Sequence, residues 1–204
     1  MADKIAVFGG SFNPIHLGHL AVAEYALKNC GLKKIIFLPN ANPPHKRNNN
    51  IIPAVHRFNM VSLAIKDNED FEISDYEMNQ LKPSYTIDTI RYFKKSYDAD
   101  VVFIIGADSL YTLDKWKAYG DLIKECSFIV ADRNCTEGSN LSKEICEHEK
   151  KGGKIELVKM PKIDITSTLI RDKLLNGEDI KGYVPKAVED YITKNGLYKS
   201  NPEE

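Results

Sequence analysis

Residues 9–19 read GGSFNPIHLGH and follow directly on the apolar run Ile5-Ala6-Val7-Phe8. Gly9 and Gly10 let a backbone approach a ligand with no side chain between them. His16 and His19 are three residues apart, so on a helix their rings share a face and can reach one anion together. A helix opening at these histidines adds unpaired N–H groups and the positive end of its dipole at the same spot. Taken singly, a Gly-Gly pair is an ordinary turn and a helix histidine an ordinary surface or core residue. Taken together they point to phosphate binding. Metal ligation ranks below it, because no cysteine or carboxylate stands close by in sequence to complete a ligand set.

A second group lies near the other end of the chain. Thr166, Ser167 and Thr168 precede an apolar helical segment, and their hydroxyls can cap it. Arg171 stands one turn further in, where a guanidinium offers a charged, multi-donor fork to phosphate. Between the two groups, Pro43-Pro44 stiffens a loop that carries His45 and Lys46. Asp108 follows the most apolar run of the chain, and Trp116 is the only tryptophan. His56 and His148 fit no pattern of this kind and are read as structural or exposed.

The elements that must position these residues alternate. Strand-like runs fall at 5–8, 35–38, 71–73, 101–105, 128–131 and 155–158. Helical stretches fall at 17–29, 54–66, 85–97, 116–124, 140–151, 168–176 and 186–194. In the first helix Leu17, Leu20, Ala21, Ala23 and Leu27 favour an apolar side, and Gly31 stops it. In the second, Phe58, Val61, Leu63 and Ile65 are the apolar positions. Ser84 is the expected N-cap of the third, with Asp88 in its first turn. Residues 40–53, rich in Asn and Pro, read as a loop, mobile around 48–50, and residues 199–204 as a frayed tail. Such alternation defines an α/β fold with a mainly parallel sheet. Ligands in such sheets bind beyond the carboxyl ends of the strands. The candidate residues fall there, after the first, second, fourth and last strands.

Composition narrows the function. The 204 residues suit one domain, and 28 basic against 29 acidic residues leave a net charge of −1, so there is no field for coating nucleic acid. Anion recognition must be local. Cys30, Cys126, Cys135 and Cys146 are scattered with no C-x-x-C pair, as expected for isolated thiols in a reducing compartment. No apolar run reaches membrane-spanning length and the start of the chain is no secretory signal. A cytoplasmic protein is expected.

Five segments in order carry a resemblance to the nicotinate-nucleotide adenylyltransferases, within the HxGH nucleotidyltransferase superfamily. His16-Leu17-Gly18-His19 matches the HxGH signature, and Asn42-Pro43-Pro44-His45-Lys46 resembles the PPHK loop. Ser84-Tyr85-Thr86-Ile87-Asp88-Thr89 resembles the SYTxDT segment. Gly106-Ala107-Asp108-Ser109 with Trp116 resembles GxDS and its tryptophan. Ile165-Thr166-Ser167-Thr168-Leu169-Ile170-Arg171 resembles ISSTxIR. Asn13 stands where many members have Asp, and Thr166 where many have Ser. The nearest enzyme alternative, phosphopantetheine adenylyltransferase, shares the first motif and should lack the next three. A non-catalytic nucleotide-binding regulator of the same fold is the alternative from another class.

The resemblance implies a Rossmann-like, doubly wound fold with helices on both faces of the sheet. It implies one nucleotidyltransferase domain over residues 1–204, with a C-terminal helical portion at about 165–198. The implied reaction is adenylyl transfer from ATP to nicotinate mononucleotide, giving deamido-NAD and pyrophosphate. His16, His19 and Arg171 are the implied catalytic residues. Gly9, Gly10, Ser11, Phe12, Gly106, Asp108, Thr166, Ser167 and Thr168 would bind ATP. Asn40, His45, Lys46, Tyr85, Thr86 and Trp116 would bind the mononucleotide. Mg2+ would arrive mainly on the ATP phosphates and water, with no protein ligand. No nucleic-acid or membrane partner is implied, and self-association is left open.

Overall fold

The apolar runs form six strands that pair in parallel as β3-β2-β1-β4-β5-β6. They are β1 (Lys4–Gly10), β2 (Lys34–Pro39), β3 (Phe71–Ile73), β4 (Asp100–Gly106), β5 (Ser127–Asp132) and β6 (Lys154–Lys159). The computed structural model describes residues 3–41, 51–80, 84–132 and 140–199. The chain winds outward from β1 to β3, returns to the other side of β1, and winds outward again to β6. The reversal falls between β1 and β4, so the segments leaving their carboxyl ends diverge and open a crevice there.

Alternate strand residues face opposite ways, and both directions are apolar. Ala6, Phe8, Ile35, Phe37, Val102 and Ile104 join one core. Ile5, Val7, Ile36, Leu38, Val101, Phe103 and Ile105 join the other. The first core is covered by α1 (Leu17–Asn29), α2 (Ala54–Ile65), α7 (Ser167–Leu175) and α8 (Lys186–Lys194). The second is covered by α3 (Thr86–Tyr97), the short α4 (Ala107–Leu110), α5 (Tyr119–Glu125) and α6 (Leu141–Lys150). The doubly wound α/β fold expected from the sequence is therefore the fold observed. No described helix is long and apolar enough to cross a membrane.

Several local expectations need correction. Gly9 and Gly10 are not a turn: they continue β1 and pair with Leu38 and Pro39. In α1 the buried residues are Gly18, Val22, Ala23 and Ala26, while Leu17 is exposed. In α2 they are Arg57, Met60, Val61 and Ile65, so an arginine sits on the buried stripe. The third helix starts one residue late, with extended Tyr85 as its N-cap and no side-chain cap, so Ser84 does not cap it. Trp116 is extended rather than helical; α5 begins only after left-handed Ala118. Residues 106–109 form the start of α4 rather than a plain turn. Gly31, in the left-handed region, does stop α1. Cys30 and Cys126 are free and buried, and burial pushes both thiols up to about 12. Cys135 and the 42–50 segment lie outside the described residues.

Candidate active site

The strand-to-helix segment after β1 is held from beneath. Phe12 takes a left-handed conformation at φ 44° and the Asn13–Pro14 peptide is cis. Phe12 and Asn13 are buried. The glycines make room for rings: a Cβ on Gly9 would lie 2.7 Å from Phe103 Cζ, and one on Gly10 would lie 3.1 Å from Phe12 Cζ. Under this segment lies Arg57, only 1% exposed. Its guanidinium donates to the carbonyls of Ser11 at 2.7 Å, Asn40 at 2.6 Å, Ala41 at 3.3 Å and Ile52 at 3.1 Å. It thereby ties the end of β1 to the end of β2. Asn40 adds a backbone bond to Gly10 O at 2.9 Å.

His16 and His19 come together as expected. Their rings stack with centroids 3.7 Å apart and planes 27° apart. They are not equally accessible: His16 is 1% exposed and lies behind half-buried His19. The His16 N–H donates to His19 Nδ1 at 3.3 Å. An accepting Nδ1 leaves the neutral ring's proton on Nε2, which makes Nε2 a donor. Gly18 between them is required by contact, since a Cβ there would stand 3.0 Å from His16 Nδ1. Phe12 steadies His19 from the side, edge-on at 5.1 Å.

The C-terminal motif docks on the same segment. Ser167 Oγ donates to Pro14 O at 2.9 Å, and Arg171 Nη1 donates to Asn13 O at 2.8 Å. Arg171 Nη2 also donates to Thr168 Oγ1 at 3.2 Å, and Thr166 caps α7 by accepting from Leu169 N at 3.1 Å. Two helix starts, those of α1 and α7, thus converge on residues 13–16. Neither carries an acidic residue in its first turn, and nor does α2. Tyr198, near the end of the chain, donates to Asn13 Oδ1 at 2.9 Å, which also accepts from Ile52 N at 3.4 Å.

The other side of the crevice is built from β4 and α3. Gly106 ends β4, and Asp108 is exposed in α4. Half-buried Trp116 meets Phe103 edge-on, at 6.3 Å and 90°. Phe103 is the ring that fills the space over Gly9, so one aromatic contact links Trp116 to the end of β1. Tyr85 and Thr86, both half-buried, start α3. Lys117 Nζ lies 3.9 Å above the Tyr85 ring and 3.8 Å from Asp88 Oδ2, so a cation stands at this helix start. Beside it Glu77 is buried, and Thr89 Oγ1 donates to its carboxylate at 3.4 Å. Burial raises the Glu77 carboxyl to about 7, against the lowering effect of Thr89, the Asn40 side chain and Arg57.

His16, His19, Thr166, Ser167, Thr168 and Arg171 are therefore brought together, while Tyr85, Thr86, Asp108 and Trp116 gather on the neighbouring strand end. His45 and Lys46 lie outside the described residues. His56 is half-buried and bonded to Tyr191, and His148 is buried with Tyr119 and Leu110 O as partners, so both are structural. Sequence reading passed over Arg57, Glu77 and Tyr198. Arg57 alone left a signal: it stands three and four residues before Met60 and Val61, on the stripe that should be apolar.

A parallel sheet reversing at β1 and β4, with a stacked histidine pair over that reversal, is the frame of a nucleotidyltransferase. The chain belongs to the cytidylyltransferase-like family, whose profile matches residues 7–173. Its curated relatives place it with the nicotinate-nucleotide adenylyltransferases. A protein of Caldicellulosiruptor bescii named "probable nicotinate-nucleotide adenylyltransferase" is 44% identical, over 96% of this chain and 99% of its own. One of the same name from Clostridium acetobutylicum is 43% identical, over 96% and 98%. Among solved structures, the Plasmodium falciparum nicotinic acid mononucleotide adenylyltransferase complexed with NaAD matches 96% of this chain and 97% of its own. The TM-score is 0.78 at 24% identity, a likeness of fold.

Proposed function

We infer that this protein transfers the adenylyl group of ATP to nicotinate mononucleotide in the biosynthesis of NAD. A phosphate oxygen of the mononucleotide attacks the α-phosphorus of ATP. The bond from that phosphorus to the bridging oxygen breaks, pyrophosphate leaves with the electron pair, and deamido-NAD forms. The nucleophile is already anionic, so the protein needs no nucleophile or strong base of its own. Its work is to position two polyanions and to stabilise the charge that moves between them.

The observation that carries this reading is the convergence of the α1 and α7 starts on residues 13–16. His19 Nε2–H, with His16 stacked behind it, donates to the ATP phosphates as charge shifts toward the leaving group. Arg171 and the hydroxyls of Ser167 and Thr168 hold the β- and γ-phosphates. Backbone N–H groups of residues 9–12 line the nucleotide, and Asp108 beyond Gly106 takes the ribose hydroxyls. Trp116 faces the pyridine ring; Tyr85, Thr86 and Asn40 frame the mononucleotide, joined by His45 and Lys46. The α3 start, with Lys117 beside it, favours the carboxylate of nicotinate over an amide.

Mg2+ would be brought by ATP. The side chains at the phosphate end are imidazoles, a guanidinium and hydroxyls, donors suited to anions, and among the described residues no three His, Cys, Asp or Glu are grouped to hold an ion. When bound, the ion would supply charge neutralisation on the polyphosphate, while His19, Arg171, Ser167 and Thr168 would meet the phosphate oxygens themselves. Residues 1–204 act as one catalytic unit in the cytoplasm, completed by 165–198.

Pyrophosphate release with ATP and nicotinate mononucleotide tests the reading. Turnover with this pair, slower turnover with nicotinamide mononucleotide and none with phosphopantetheine are expected. Activity with phosphopantetheine alone would overturn it, and so would nucleotide binding without turnover.

A further inference from the structure

We propose that Glu77 is a positioning residue for the mononucleotide end of the cleft, holding the Asn40 side chain and the first turn of α3 in register. The proposal rests on the functional reading above, in which Asn40, Tyr85 and Thr86 meet that substrate.

Glu77 lies outside every strand and helix, in the segment between β3 and α3, yet it is only 7% exposed. A buried carboxylate needs partners. It has one on each side of the cleft: the Thr89 hydroxyl, on fully buried Thr89 in the first turn of α3, at 3.4 Å, and the amide of Asn40 beyond β2. The Arg57 guanidinium faces it from α2 and is itself spent on four carbonyls, those of Ser11 and Asn40 among them. Tyr76, its sequence neighbour, senses its charge. Arg57 thus ties Ser11 to the Asn40 backbone, and Glu77 stands between the Asn40 side chain and Thr89 at the α3 start.

The connection is made in one form of the carboxyl. Asn40 and Thr89 both donate, so the ionised group can accept both bonds; a protonated one gives up part of that capacity. Burial raises the carboxyl to about 7, which sets the pH range in which its acceptor capacity changes.

The test is Glu77→Gln, with steady-state kinetics for both substrates between about pH 5.5 and 8.5. At high pH, kcat/KM for nicotinate mononucleotide should fall about tenfold, chiefly through KM, while KM for ATP stays within about twofold. The ratio of wild type to variant should approach one at low pH and rise through about 7. Taking the ratio cancels the titration of the substrate phosphate and of the histidines, which both proteins share. Thr89→Val removes the same contact from the other side and should raise the same KM even if Glu77→Gln folds poorly. A pH-independent ratio, or equal increases in both KM values, would overturn the proposal. Turnover by the wild type reports separately on the reaction itself, so a failure of that reading is not mistaken for a failure of this one.

Discussion

Tyr198 and Asn13 stand 185 residues apart in sequence and are joined by a 2.9 Å hydrogen bond from the phenol to the amide oxygen. Ser167 and Arg171 hold the carbonyls of Pro14 and Asn13, and Tyr183 O accepts from Leu17 N at 2.9 Å. The segment that carries the histidines is therefore fixed by residues drawn from the last forty of the described chain. Its own sequence does not hold it alone.

Tyr198→Phe removes one bond from buried Asn13 and little volume. Stability should fall by about 1 kcal/mol, read as a lower urea midpoint with an unchanged slope. Turnover should fall as well, because Asn13 precedes His16 by three residues. Equal kcat in both proteins would show that the tail stabilises the fold without ordering the turn.

His19→Ala takes away the donor that the proposed reaction places at the ATP phosphates. A loss of about a hundredfold in kcat is expected, by comparison with the loss of one donor at an oxyanion site. Single-turnover pyrophosphate release checks it, and near-normal turnover would remove His19 from the chemistry.

Arg171→Lys keeps the charge and loses the fork that reaches both Asn13 O and Thr168 Oγ1. KM for ATP should rise by about tenfold with KM for the mononucleotide little changed. Both constants from one set of initial rates decide it; unchanged ATP kinetics would return Arg171 to a surface role.

Arg57→Met should be the most destabilising of these substitutions. It leaves the carbonyls at 11, 40, 41 and 52 without this donor and removes a cation that favours the charged form of Glu77. A loss of about 3–5 kcal/mol is expected from such a broken buried network, measurable by denaturant unfolding.

Glu77 gives stability a pH dependence whose sign follows from its raised carboxyl. Below about 4.5 the carboxyl is protonated in both the folded and the unfolded chain, and its contribution is complete. Between 4.5 and about 7 the unfolded chain has lost the proton while the folded one retains it, so stability falls as pH rises. Glu77→Gln has no such proton. Its stability relative to wild type should climb across that window, by on the order of 2–3 kcal/mol, and level off above it. Unfolding curves at pH 5 and pH 8 suffice, and a constant difference would contradict the raised carboxyl.

The sheet was legible because six apolar runs separated by helical periodicity admit few arrangements, and the histidine pair was legible because three-residue spacing on a helix decides which rings meet. What escaped were contacts with no local pattern. Nothing in the sequence around Tyr198 announces Asn13. Glu77 sits in an irregular segment where no period marks burial. Leu17 looks like core but is exposed, because α1 turns Val22, Ala23 and Ala26 into the core instead. Ser84 has the right type for a cap, yet α3 begins after Tyr85, since the helix start is set by the packing of Ile87 and Ile90 below it.

The contact between Tyr198 and Asn13 also orders events during synthesis. The histidine motif is translated among the first twenty residues, and the phenol that fastens its turn is made only after 178 more have been added. Arg171 and Ser167 come hardly sooner. Strands β1 through β6 all precede residue 160, so the sheet can be laid down while the turn at 13–14 still lacks the partners that residues 167–198 bring to it.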